Sequence, residues 1–455
     1  MQVKIDTKKL RRINDIISNI LSFVVIFLTA KVIFAIDHRF PESNEMAKFV
    51  KIISIIPIIS ASGFFLFLVK RSIKFSLLDL FSLLFFVYYL ILAFVSGSGD
   101  PKHILLPIFL LSIYVIVRVI ASNNDYGLKW CALAILLVSI FELTLGIKQM
   151  YGLVASNHLR GSITGSFFNP GPFGGYLAFI FALSLSVLVK MRVNIEILIS
   201  AVKLRQFKRI ISIDILLYFV SFAVLILSLI LLPSTMSRSA WMSVCFVSLI
   251  AIIQSGAVKK TLCKLSSHKY LLMSLALMVT VLVAISIYGI YTLKEGSADA
   301  RFFSWRISTK VIFADPIVGV GPGHFEGAYA IRQAQYFSEN PDSKYIYIAD
   351  CPDYAFNEYL QMGAELGLVG LVLFTSIIIL ALRNVKSNPL QYGSIAILCY
   401  YLLSISHSSI VGFICYFYCC SEKYSVIWTT YRQNTIHGHI CYSIYRMDSS
   451  TTTGG

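Results

Sequence analysis

Apolar residues in this chain fall into blocks of about twenty separated by short polar stretches, and a helix needs about that many to cross a hydrocarbon core ~30 Å thick. The pattern predicts spanning helices over 15–36, 49–69, 77–97, 104–121, 129–148, 171–190, 213–232, 239–254, 270–290, 363–382 and 390–410. A twelfth block at 411–430 is interrupted by Ser421, Glu422 and Lys423. A helix satisfies its own backbone in lipid, which an open extended chain cannot do. The expected fold is therefore an all-α polytopic membrane protein with about 11–12 transmembrane helices.

One polar stretch breaks this rhythm. From Tyr291 to about Met362 the chain is hydrophilic; it ends "CPDYAFNEYLQMGAELGLVGLVLF", which runs straight into an apolar helix. The organisation expected is a helical bundle with short loops over 1–290, one long outer segment over 291–362, further spans over 363–410, and an atypical C-terminal segment over 411–455. No repeat of 20–50 residues is evident.

Composition excludes a soluble domain: 57% of residues are hydrophobic and 14% charged, and mean hydropathy is +0.76. The first apolar block is too long for a signal peptide and lacks its small-residue cleavage site, so it is expected to remain in the mature chain. Lys and Arg crowd the N-terminus and every second loop after it: Lys70, Arg71 and Lys74; the 190–209 region; Lys259 to Lys269; Arg383 and Lys386. By the positive-inside rule these are cytoplasmic. That leaves 37–48, 98–103, 149–170, 233–238 and 291–362 on the outer face. The net charge of +16 is then explained by anchors touching anionic lipid heads, with no nucleic acid partner. The inner stretch 191–212 reads either as a basic amphipathic surface helix or as a plain connector.

Cysteine adds little. Only Cys351 lies in the long outer segment, so no disulfide framework forms there. Cys415, Cys419, Cys420, His437, His439 and Cys441 could be drawn as a zinc site, but their spacing matches no regular pairing and the tail reads as unstructured.

Four clusters gather at helix ends on the predicted outer side: 158–177, 233–244, 300–325 and 353–370. Arginine is their common element, at Arg160, Arg238, Arg301 and Arg306. Guanidinium remains charged and grips phosphate oxygens bidentately, which suits a pyrophosphate headgroup. The plainer explanation is a cation snorkelling to the interface. Arg238 runs against the positive-inside trend and lies between Ser237 and Ser239, which leave room for a ligand. Candidates for proton transfer are His324, Glu326, Asp350, Asp353, Glu358 and Glu365. Glu358 and Glu365 share a helix face; the competing explanation is an acidic, solvated first turn. "GVGPG" at 319–323 follows no predicted strand, so it is expected to be a tight surface turn and not a dinucleotide loop.

Taken in order, "R..G…NP..FGGYL", "SRSAW", "R…W……DP..GVGPG.F" and "FNEYLQ…ELG..G", spread over about 158–370, resemble the O-antigen ligase and polymerase superfamily of bacterial envelope glycosyltransferases. The resemblance implies a metal-independent, cofactor-free enzyme of the helical lipid-sugar transferase type in the bacterial inner membrane. Its donor would be an undecaprenyl-pyrophosphate-linked glycan. The acceptor would be lipid A core, another glycan or a protein hydroxyl, at the periplasmic face.

By position, Arg238 and Arg301 match the arginines that hold the pyrophosphate, and Trp305 matches an aromatic of the same loop. The family's His-Asn pair stands here as Phe356 and Asn357. If the chemistry survives, Glu358 or His324 replaces the missing histidine, or the leaving-group side alone drives the reaction. Arg160, Asn169, Trp305, Arg306, Asn357 and Glu365 are the expected substrate-binding residues.

A flippase or transporter of lipid-linked sugars is the rival class. Transporters place ionisable groups near the midplane and use broken helices. Here the spans hold mainly Arg118 and Glu142, and the polar chemistry gathers at one boundary. No paired outer carboxylates suggest a metal-dependent transferase.

Overall fold

The computed structural model describes residues 7–31, 44–70, 77–97, 101–121, 125–158, 163–167, 169–190, 213–254, 295–352 and 354–383. These residues are helical and contain no strand. The helices are α1 (Thr7–Ala30), α2 (Asn44–Lys70), α3 (Leu77–Val95), α4 (Lys102–Ala121), α5 (Asp125–Met150), α6 (Pro170–Lys190), α7 (Ile213–Leu231), α8 (Arg238–Gln254), α9 (Glu295–Ala314), α10 (Phe325–Glu339) and α11 (Glu358–Arg383). Leu77–Val95, Lys129–Met150, Pro170–Val189, Ile213–Leu231 and Glu358–Leu380 are each long and apolar enough to cross a membrane. The chain is a multi-pass helical membrane protein.

Every expected span overlaps a helix except 270–290 and 390–410, which lie outside the described residues, as do Arg160, the 191–212 stretch and the segment 411–455. Within the polar segment, α9 and α10 occupy about half of the residues.

Buried apolar residues form three cores. The largest joins α1, α2 and α4–α8 around residues such as Phe109, Leu136, Phe173, Tyr176 and Val224. A smaller core lies between α3 and α11, around Phe85, Leu366 and Phe374. A third binds α9 and α10 to the start of α11 through Phe303, Ile307, Phe325 and Tyr329. Many other apolar side chains face outward, such as Phe94, Phe219 and Ile379. In water that arrangement would be costly; in lipid it is the favoured face.

Helix direction alternates consistently. Lys129 at the start of α5 pairs with Asp214 at the start of α7, 2.7 Å apart. At the opposite end, Gly146 of α5, Phe173 of α6 and Leu231 of α7 meet. That second end also gathers the close of α3, the start of α4, the start of α8 and the glycine turn before α10.

Candidate functional site

Two half-sites are built at this end of the bundle. The first surrounds Arg238. The chain leaves α7, makes a short 3-10 turn at Pro233–Thr235 and passes through Met236 in a left-handed conformation before α8 begins at Arg238. Thr235 Oγ1 donates to the Leu232 carbonyl at 2.7 Å and accepts from the Ser237 N–H at 3.2 Å. Trp241 Nε1 donates to the same Leu232 carbonyl at 2.9 Å. Ser237 is buried against Gly174 of α6, where a methyl group would come within 2.7 Å of the serine Cβ. Small residues thus bring the 158–177 and 233–244 clusters together, as expected.

The loop before α6 is held from below by α5. Gln149 Oε1 accepts from the N–H groups of Thr164 and Gly165, at 2.9 and 2.7 Å. Gln149 Nε2 donates to the Gly165 carbonyl at 3.0 Å, and Glu142 Oε1 accepts from Ser166 N–H at 2.6 Å. Residues 163–167 are buried. A buried loop must find partners for its backbone, and here side chains of a spanning helix supply them. Asn169 acts as the cap of α6: its side-chain oxygen accepts from Gly171 N–H at 2.9 Å.

The second half-site joins α9, α10 and α11. Arg301 lies on α9 with its guanidinium carbon 5.7 Å from the Phe356 ring centroid. Phe356 itself has φ 52, a left-handed conformation uncommon for a bulky residue. Asn357 then caps α11, its Oδ1 accepting from Tyr359 N–H at 3.0 Å and Leu360 N–H at 3.3 Å. Arg306 stacks over Tyr336 of α10 at 5.0 Å, an aromatic contact that orients it along the helix pair. Trp305 packs edge-on to Phe302, and its indole N–H is buried with no hydrogen-bond partner. Burial raises the pKa of the Tyr329 phenol, so this core tyrosine stays protonated.

Glu358 and Glu365 are both buried, at 1% and 3% exposure, which removes the solvated-first-turn explanation. Glu365 Oε1 accepts from Gln361 Nε2 at 2.9 Å and Gly323 N–H at 3.2 Å. Gln361 Oε1 in turn accepts from Ala355 N–H at 2.8 Å, tying the approach to Phe356 into the same network. His324 Nδ1 is 3.1 Å from the Pro322 carbonyl. A carbonyl can only accept, so Nδ1 carries the hydrogen and Nε2 keeps its lone pair.

The glycine turn is exposed at Gly323 and half-buried at Gly319 and Val320, a surface turn whose middle is set into the bundle. It fits into a break in α11 at Gly367, whose φ 62 and ψ −163 suit glycine alone. There the carbonyls of Ala364 and Glu365 accept from Val320 and Gly321 N–H, both at 2.9 Å. The N–H groups of Leu368 and Val369 donate to the carbonyls of Pro316 and Ile317, at 2.8 and 3.4 Å. The Leu366 carbonyl accepts from Tyr88 Oη of α3 at 2.9 Å. Gly321 and Pro322 are buried.

Residues 222–375 match the family model described as O-antigen ligase. That match supports a relationship of this segment to the O-antigen ligase and polymerase superfamily. Members are glycosyltransferase-like enzymes of envelope glycan biosynthesis. The O-antigen ligase segment contains Arg238, Arg301, Trp305, Arg306, His324, Asn357, Glu358 and Glu365; Asn169 and Arg160 precede it. No curated protein matches the chain. His103 and Tyr89, 3.5 Å apart beside the glycine turn, escaped the sequence argument. The outer-loop pattern pointed to the polar segment, and nothing in the spacing of His103 ties it to residue 323.

Proposed function

We propose that this O-antigen ligase-type chain transfers or polymerises a glycan from undecaprenyl pyrophosphate onto an acceptor hydroxyl at the periplasmic face of the inner membrane, without a metal. The observation that carries this is the family match across 222–375, which includes both arginines suited to a diphosphate. The lipid pyrophosphate enters from the bilayer. Arg238, at the start of a helix and beside small buried serines, and Arg301, on the first helix of the polar segment, grip its oxygens. The acceptor oxygen attacks the anomeric carbon with inversion as the bond to the pyrophosphate oxygen breaks. Negative charge grows on the leaving group, and the two guanidinium groups stabilise it.

The hydroxyl proton passes to His324 Nε2, since Nδ1 is committed to the Pro322 carbonyl. Trp305, with its free buried N–H, Arg306 and Asn357 line the approach for sugar, with Arg160 and Asn169 on the side of α6. Glu358 is the second proton acceptor within the same helical turn as Asn357.

The test is Arg238→Ala in cells that need the transferred glycan. Glycan transfer is lost while the amount of protein in the membrane is unchanged, and lipid-linked donor accumulates. Normal surface glycan in that variant refutes the assignment.

A further inference from the structure

We propose that Glu365 and His103 are positioning residues: together they clamp Gly323, and through it they set the place of His324 and the start of α10. This rests on the proton-accepting role given to His324 above. Helix α10 begins at Phe325, and the preceding His324 provides no side-chain cap. The first amides of a helix need acceptors. Glu365 supplies them from another helix, receiving the Gly323 N–H at 3.2 Å and the Phe325 N–H. The carboxyl group that accepts them is buried to 3% exposure, so little water competes for its oxygens. Gln361 donates to the same oxygen and fixes the carboxylate's angle.

His103 closes the clamp from the opposite side. A methyl group on Gly323 would come within 2.5 Å of His103 Nε2, so the imidazole lies directly against the turn. Tyr89 Oη lies 3.5 Å from its Nδ1. Two residues earlier, Gly321 packs on Ser96 at the end of α3. Gly321 and Gly323 have φ 93 and 79, so the turn's shape and its tight fit both depend on the missing side chains. Two elements distant in sequence, α4 and α11, thus converge on Gly323 beside the proposed base, while the end of α3 holds Gly321.

The clamp needs an acceptor oxygen at position 365, not a charge that accepts a proton. Glu365→Gln keeps a carbonyl oxygen; Glu365→Ala keeps none. In the full-length chain in detergent, Glu365→Ala speeds hydrogen exchange at the Gly323 and Phe325 amides by at least about tenfold, because the cap that closes this local opening is gone. Glu365→Gln leaves their exchange within about threefold of the parent. Glycan transfer falls about 100-fold for Ala, as expected of a displaced base, and Gln, which keeps the acceptor oxygen, recovers at least about tenfold of that loss. Gly323→Ala also lowers transfer, and adding His103→Ala to it restores at least about tenfold by removing the clash.

Exchange unchanged in Glu365→Ala overturns the clamp. So does loss of transfer in Glu365→Gln with the amides still protected, since that outcome makes the carboxylate itself chemical. Failure of His103→Ala to rescue Gly323→Ala overturns the role of the histidine. If the exchange results hold but His324→Ala transfers glycan normally, the clamp stands and the proposed base is wrong.

Discussion

The two half-sites solve one problem in different ways. Each fixes irregular backbone at the end of an apolar bundle, fully buried at 163–167 and buried at Gly321 in the second. The loop at 163–167 is pinned by side chains, Gln149 and Glu142, reaching up from α5. The turn at 316–321 is pinned by backbone, exchanging hydrogen bonds with the broken segment of α11 around Gly367. The first solution depends on what a side chain carries, and the second on glycine conformations that no side chain permits. The arginine of the first half-site follows a short helical turn, while that of the second is carried on a regular helix, α9.

This contrast makes different substitutions dangerous on the two sides. The largest effect is expected at the break. Gly367→Ala puts a methyl group onto the Ile317 carbonyl in a conformation only glycine favours, and should cost about 4 kcal/mol, summing backbone strain and overpacking. Thermal unfolding in detergent measures it, and a loss below about 1 kcal/mol would show the break to be adaptable. Next is Gln149→Ala, which strips acceptors from the Thr164 and Gly165 amides and should cost about 2–3 kcal/mol. Thermal unfolding in detergent measures this too, and parent-like stability of Gln149→Ala would show that the loop does not depend on those bonds. Smallest is Tyr88→Phe, which removes one bond to the Leu366 carbonyl while Val320 and Gly321 still hold the neighbouring ones; about 1 kcal/mol is expected.

The same contrast explains what was readable beforehand. Spanning helices announce themselves as apolar runs, so α3, α5, α6, α7 and α11 follow from hydropathy. Glu142 stood out as a charge inside a span, and its purpose became clear only when Ser166 was brought above it. Asn169 and Asn357 were legible as polar residues at the helix starts, yet both spend their side-chain oxygens on capping. Within the polar segment, "GVGPG" announced a turn, but its insertion into α11 depends on a Gly367 conformation that the helical pattern of the flanking residues hides. His103 was invisible for a related reason. Its neighbour Gly323 is 220 positions away in the chain, and a contact of imidazole with bare backbone leaves no trace in either local pattern.

The central claim is that Arg238 and Arg301, one from each half-site, serve a single diphosphate. The most direct measurement is kcat/KM for glycan transfer by the purified full-length chain from a polyprenyl-pyrophosphate-linked donor, for Arg238→Ala, Arg301→Ala and the pair. Each single change should lower the rate constant about 100- to 1,000-fold, and the pair should fall well short of the product of the two, since groups acting on one leaving group are not independent. Transfer at the parent rate by either single variant, or a pair whose losses simply multiply, contradicts a shared diphosphate.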